Sequence, residues 1–294
     1  MTEGATARVR RFNRSWSQRA GVLDESFLGS GRPIGPSRLL FELDVERPVR
    51  DLRDRTGLDS GYVSRLLRRL EDEGLVLTET DPADRRRRLV RLTSAGRQAR
   101  DDLEARSENL AAHLLAPLSP GQAERLAAAL DTADRLLRSA TVDIDRVDPA
   151  VDAAHTCLAA YFAELADRFT DGFDPGVDDL GAFREPRGLF LVAVSQGEPI
   201  ACGGLHDLGQ GVSEVKRMWV GPAWRGTGLG GRMLRALEAA ALERGARMVR
   251  LDTNDTLTDA LAMYRRAGYV EIERYNDNPY AQHWFEKSTV GSQA

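Results

Sequence analysis

Residues 225–231 read RGTGLGG, a glycine-rich run between an apolar stretch and a segment with helical apolar spacing. Strand, glycine loop and helix in that order constrain the chain strongly. Glycine lets the backbone close its N–H groups on an anion at a helix N-terminus. Two loops of this kind fit. Gly226, Gly228 and Gly231 have the spacing of a dinucleotide-binding loop, and Asp252 stands about 20 residues on, where a ribose-binding acid is expected. Arg225-x-x-Gly228-x-Gly230 fits instead a loop that cradles the pyrophosphate of coenzyme A.

The surroundings separate the two. A dinucleotide fold runs its strand directly into the first glycine and continues with parallel strand–helix units. Here GPAWR lies between Val220, the predicted strand end, and Gly226. Upstream, GLFLVAVS and IACGGLHDL flank QGEP, which predicts an antiparallel hairpin. Only about 40 residues follow Asp252, too few for the remaining units. No Gly-Lys-Ser/Thr follows the loop, which excludes a Walker P-loop. The coenzyme A reading survives, with EVKRMWV as the strand before the loop, RMVRLDT as a strand after its helix, TDALAMYRRAG as a helix and one last strand segment.

The first half carries a different pattern. PSRLLFELDV and VRDLRDRT predict short helices, the second closed by Gly57. Ser60 is read as the cap of a third helix, SGYVSRLLRRLEDEG, with Val63, Leu66, Leu67 and Leu70 as its apolar stripe and Gly74 as its stop. The strand LVLTET, the turn DPADRR and the strand RRLVRLT follow. Three helices and a two-stranded wing make a winged helix-turn-helix. The polar face of the third helix, Ser60, Tyr62, Ser64, Arg65, Arg68 and Arg69, suits a DNA major groove. The arginines at 85–88 suit a wing that reaches a minor groove. Two long helices, SAGRQARDDLEARSENLAAHLLAPL and SPGQAERLAAALDTADRLLRSA, complete this half. The second places Leu126, Leu130, Ala133 and Leu137 on one face.

Residues 60–96 resemble the core of a MarR-type regulator: L-x-x-x-G-L-V at Leu70–Val76, D-x-R at Asp84–Arg86 and L-T-x-x-G at Leu92–Gly96. The resemblance implies that Arg86 enters the minor groove with Asp84 orienting the wing. It also implies that the long helices and the N-terminal one form a homodimer on a pseudo-palindromic site in double-stranded DNA.

The second half resembles the GNAT N-acetyltransferases across about residues 150–287. The motif residues are Arg225, Gly228 and Gly230, followed by Ala260, Tyr264, Gly268 and Tyr269 in A-x-x-x-Y-x-x-x-G-Y. The resemblance implies an acetyl-CoA substrate with its pyrophosphate on the backbone of Arg225, Gly226, Gly228, Leu229, Gly230 and Gly231. Met218 and Val220 would pair with the pantetheine arm like an added strand, and Asn254 would contact the same arm. Glu214 is the candidate base and Tyr264 the candidate acid for transfer to an amine of unknown identity. Strict alternation along EVKRM puts Glu214, Lys216 and Met218 on one face. Tyr280, His283 and Trp284 are candidates for the acceptor pocket.

The expected architecture is thus two domains. A mainly α winged helix-turn-helix with long dimerisation helices spans 1–140, and 141–149 form a linker. An α+β GNAT fold, a mixed and mostly antiparallel sheet with flanking helices, spans 150–287, with a flexible tail at 288–294. Charge does not assign DNA binding by itself: 26 basic residues face 24 acidic ones in 1–147, and 15 face 21 beyond. Two cysteines and four scattered histidines give no metal-ligand spacing and fit a reducing cytoplasm. No apolar run is long enough to span a bilayer. The expectation is a bifunctional regulator and acetyltransferase. The alternatives are a non-catalytic regulator that senses acetyl-CoA, and a winged helix serving only to dimerise.

Overall fold

The computed structural model describes residues 4–21, 24–82, 84–169, 172–174 and 179–289. Two compact units meet in sequence at Arg125 and Leu126.

The first unit begins with α1 (Ala5–Arg19), α2 (Ile34–Glu42), the short β1 (Arg47–Pro48), α3 (Val49–Thr56) and α4 (Ser60–Asp72). Gly57 ends α3 with φ +66°, a left-handed turn that suits glycine. Asp59, not Ser60, caps α4: its carboxylate accepts from the Tyr62 N–H at 2.9 Å, and Ser60 is the first helical residue. Aspartate and serine both cap well, and the acid one position earlier has the extended backbone a cap needs. Val63, Leu66, Leu67 and Leu70 are buried as the spacing predicts. Past Gly74 the Leu75 N–H returns to the Leu70 carbonyl at 2.9 Å, closing a Schellman end.

The wing strands β2 (Val76–Thr80) and β3 (Arg88–Leu92) pair antiparallel, with β1 on the other side of β3. The L-T-x-x-G segment then starts α5 (Ser94–Leu115). Thr93 accepts from the Gly96 N–H at 3.0 Å and donates to the Gly74 carbonyl at 2.7 Å. A Cβ on Gly96 would lie 1.9 Å from the Leu75 carbonyl oxygen, so only glycine fits. Helix α6 (Pro120–Thr141) follows.

In the second unit β4 (Ile144–Val147) pairs with β5 (Gly188–Ser195), so the stretch read as a linker contains a sheet strand. Its half-buried Ile144 and Val147 pack on opposite faces against two core clusters, and the exposed pair between them leaves no alternation to read in the sequence. After β4 come α7 (Asp152–Arg168), β5, β6 (Glu198–Gly209), β7 (Val212–Val220), α8 (Leu229–Glu243), β8 (Met248–Thr253), α9 (Thr258–Arg266), β9 (Val270–Ile272) and β10 (His283–Ser288). The sheet order is β4-β5-β6-β7-β8-β10-β9, antiparallel throughout except for β7 beside β8. The predicted hairpin is β5–β6, with Gln196 and Gly197 both at positive φ, as a two-residue turn of type I′ requires. Ser288 belongs to β10 and the Thr289 N–H reaches the Arg247 carbonyl at 3.0 Å, so the first two residues read as tail are held in place. Residues 290–294 lie outside the described ones.

Candidate functional sites

Strands β7 and β8 pair in register from Val212–Met248 to Val215–Leu251 and then part. Beyond that point β7 runs on to Val220 with no strand paired on its β8 side among the described residues, a strand edge of the kind an extended ligand can pair with. The glycine loop follows and leads into α8. Gly226 and Gly228 stand at φ +73° and +91°, values that side chains resist. Gly228 caps the helix, and no acidic residue occupies the first turn, so the N–H groups and positive dipole end of α8 are open to an anion.

A cavity of about 1040 Å³ begins here. Met218, Val220, Arg225, Gly226, Gly228, Gly230, Gly231 and Tyr264 all line it. Leu229 is fully buried in the core, so only its backbone faces the loop. A Cβ on Gly230 would stand 3.2 Å from Met263 Sδ, so glycine lets α8 close on α9 and the end of β7.

The Arg225 guanidinium turns away from the loop. Its Nε donates to the Val220 carbonyl at 3.1 Å, and its Nη2 pairs with Glu164 of α7. Glu164 also accepts from Trp219 Nε1 at 3.0 Å. Burial opposes the Glu164 charge, but the Arg225 and Trp219 bonds hold its carboxyl below the usual glutamate range. Arg225 therefore braces the strand end while the loop's backbone faces the cavity. Glu164 went unread in the sequence, being one acid among several on an amphipathic helix.

Glu214 is 4% exposed and sits in a buried polar cluster. Its Oε1 accepts from Tyr275 Oη at 2.7 Å, Asn276 Nδ2 at 3.0 Å and Lys216 Nζ at 3.1 Å. Lys216 also pairs with Asp252 at 2.8 Å. Burial works against the Lys216 charge, but the two carboxylates outweigh it and hold the ammonium above its ordinary value. Asp252, the residue at the ribose-binding spacing, thus has an internal partner. Glu214 does not line the cavity.

Glu214 and Met218 also lie on opposite faces, against the strict alternation. Arg217 stands at φ +54°, and the β6–β7 register shifts opposite it between Cys202 and Gly204. This bulge advances the side-chain phase by one residue. Val215, Met218 and Val220 pack on the α8 side, whereas Trp219 joins the core beneath α7 and the Arg217 guanidinium lies over Phe162 and Phe183.

Tyr264 of α9 is 6% exposed, its ring packed against Tyr269 and Phe285. Burial, helped by the Asp252 charge, pushes its hydroxyl well above the ordinary tyrosine value. Asn254 is tied into its surroundings. One N–H of its Nδ2 donates to the Tyr280 carbonyl at 2.7 Å and its Oδ1 accepts from Thr256 N and Oγ1, so it braces two loops. Tyr280 stacks among Phe169 and Phe173, His283 pairs with Glu271, and Trp284 Nε1 donates to Asn276 at 2.9 Å.

In the first unit α4 exposes Ser60, Ser64, Arg65, Arg68 and Arg69, with Tyr62 half-buried against α2. Arg69 pairs with Glu73 at 3.1 Å, Arg65 lies over the Tyr62 ring, and Arg68 has no ion-pair partner among the described residues. In the wing, Asp84 Oδ1 accepts the Arg86 N–H at 3.0 Å, fixing the turn that presents Arg86 to solvent.

Residues 155–269 match the acetyltransferase (GNAT) family and residues 36–87 match the MarR family. Over 135 residues the chain is 32% identical to an IAA acetyltransferase of Azospirillum brasilense, covering 44% of this chain and 85% of that protein. The chain belongs to the GNAT family. Ahead of its GNAT domain it carries a MarR domain. The chain is also similar to the N-acetyltransferase YjgM of Escherichia coli, 27% identical over 43% of this chain and 78% of that protein. It is 36% identical over 81 residues to the HTH-type transcriptional regulator YdgJ of Bacillus subtilis, covering 28% of this chain and about half of that regulator, 49%. No described helix is long and apolar enough to cross a membrane.

Proposed function

We propose that this GNAT domain transfers the acetyl group of acetyl-CoA to an amine and that the MarR domain binds double-stranded DNA as a homodimer. The observation that carries the first half is the open N-terminus of α8, set behind Gly226 and Gly228 at the mouth of a cavity that runs along the unpaired edge of β7. That arrangement matches a ligand with a pyrophosphate and an extended amide-bearing arm.

In the proposed reaction the amine nitrogen attacks the thioester carbonyl while a base removes its proton, because an ammonium has no free pair. Glu214 takes that role through Oε2, which lies outside the three bonds to Oε1 and 4.0 Å from His206 Nδ1. The tetrahedral oxyanion is stabilised by a β7 backbone N–H near Met218. Collapse breaks the carbon–sulfur bond, and Tyr264 gives its proton to the departing thiolate. The elevated Tyr264 value keeps that proton in place at neutral pH.

The DNA reading rests on Arg68 and Arg86, both exposed and without ion-pair partners among the described residues, on α4 and the wing. Dimerisation is supported by apolar side chains left exposed on α1 and α6, among them Phe12 at 52% and Leu137 at 71%.

Incubation with acetyl-CoA and a panel of amines, with free thiol followed, tests catalysis. Thiol release that needs an amine supports it, and none on small amines, polyamines, aminoglycosides or lysine peptides counts against it. The engagement of Glu214 by three donors favours one second reading, a domain that binds acetyl-CoA without turnover. Its mark is an acetyl-CoA-dependent change in DNA affinity with no thiol released.

A further inference from the structure

Helix α6 ends on the glycine loop. Ser139, in its last turn, is completely buried. Its hydroxyl reaches two carbonyl oxygens: that of Leu136 one turn back, at 3.0 Å, and that of Thr227 inside the loop, at 3.2 Å. The first bond is open to any helical serine. The second joins residues 88 apart in sequence.

A second pin lies just beyond. Arg232, in the first turn of α8, donates through Nη1 to the Ser139 carbonyl and through Nη2 to the Val142 carbonyl at 2.7 Å. These carbonyls lie at the C-terminal end of α6, where the helix supplies no donors of its own. The Arg232 N–H in turn bonds the Gly228 carbonyl at 3.1 Å. The loop is therefore fastened to α6 on both sides of Gly228.

The consequence follows from peptide geometry. In a trans peptide the C=O and the next N–H point in opposite directions. The Thr227 carbonyl is drawn toward Ser139, so the Gly228 N–H is aimed the other way, and Gly228 lines the cavity. Thr227 Oγ1 ties its residue to the Trp224 carbonyl at 2.6 Å, but Gly228, at φ +91°, has wide conformational freedom, and the Ser139 bond acts on the peptide between the two directly.

We propose that the last turn of α6 is part of the coenzyme A site, with Ser139 as a positioning residue that orients the Gly228 N–H toward the pyrophosphate. This rests on the acetyl-CoA reading above. It gives the pyrophosphate loop a support from outside residues 155–269, the segment that matches the GNAT family. That support is the last turn of the helix that begins at Pro120.

The test is calorimetric titration of the full chain with acetyl-CoA and with S-acetylpantetheine, which has the same arm and thioester but no pyrophosphate. Ser139→Ala is expected to weaken acetyl-CoA about three- to tenfold, the value of one neutral hydrogen bond, and to leave S-acetylpantetheine unchanged. Equal weakening of both ligands would reduce Ser139 to a structural residue and overturn the proposal. Undiminished acetyl-CoA binding would overturn it as well. If the alanine variant does not fold, Ser139→Cys, of similar shape and a weaker donor, carries the same comparison. Failure of the unaltered protein to bind acetyl-CoA would instead remove the cofactor reading itself.

Discussion

Replacing Tyr264 by phenylalanine separates its chemistry from its packing. The ring centroid lies 5.9 Å from that of Tyr269 and 6.2 Å from that of Phe285, and phenylalanine keeps both contacts. The hydroxyl has no hydrogen-bond partner among the described residues, so its loss leaves no polar group stranded. Stability should change by no more than about 0.5 kcal/mol, a shift of roughly 2 °C or less for a unit of this size. A general acid contributes about 10²- to 10⁴-fold, so kcat should fall by that factor, equivalent to about 2.7–5.5 kcal/mol of barrier. The KM for acetyl-CoA should hold, since the hydroxyl acts only as the thiolate forms. The pH dependence has a definite sign. An acid must carry its proton, and burial raises the Tyr264 value above that of an ordinary tyrosine. Its protonated form is complete through neutral pH and is lost only as pH rises through the raised value, so Tyr264 contributes no alkaline limb below pH ~10. The assay is steady-state thiol release with one accepted amine, paired with thermal unfolding. Turnover of Tyr264→Phe within threefold of the unaltered protein, with unfolding unchanged, would refute the acid role.

Other outcomes follow from the same geometry. Arg86→Ala should weaken binding to a promoter fragment by about 1–3 kcal/mol, measured by fluorescence anisotropy, because Asp84 fixes the turn that presents it. Arg68→Ala should reduce the salt slope of DNA binding by about one if Arg68 contacts a phosphate. Gly96→Ala should lower the stability of the winged-helix unit by about 2–3 kcal/mol in urea unfolding, since its Cβ would sit 1.9 Å from a backbone oxygen. Gly121→Ala meets nothing within 4 Å and should stabilise by about 0.4–1 kcal/mol. Glu164→Gln should weaken acetyl-CoA binding about threefold to tenfold at pH 7 by loosening Arg225. Because the Glu164 value is depressed in the fold, its hold on Arg225 is present above the ordinary value of 4.5 and is lost as pH falls through the depressed one. The gap between variant and unaltered protein should therefore narrow in acid.

Much of this was legible because local sequence decides it. Gly57 and Gly74 stop helices by adopting left-handed backbone, and the Val63–Leu70 stripe follows helical spacing. The glycine loop announces itself for the same reason, with two positive φ values and a close helix start. What escaped depends on partners distant in sequence. Strand β4 is four residues with two half-buried apolar positions, recognisable only beside β5. Asn254 reads as a free amide until the Tyr280 carbonyl, 26 residues on, takes one of its two donors. The acidic partner of Arg225 lies 61 residues earlier on α7, and nothing in either segment marks the pair.

The bulge at Arg217 has the widest consequence of these. Alternation is a reliable rule only while each residue opposes one partner, and β7 has one residue too many opposite Gly203. No glycine marks the site on β7 itself, since arginine holds φ +54°, with its guanidinium over two aromatic rings. The phase change puts Glu214 and Lys216 on the face away from α8, while Met218 and Val220 face α8 and the loop. An acetyl-CoA arm along the free edge of β7 would then have its pyrophosphate end on the α8 side. The base would approach the thioester from the opposite side, where Tyr275 and Asn276 close over it. Under the proposed reaction, one extra residue would thus place the base and the cofactor's pyrophosphate end on opposite faces of β7.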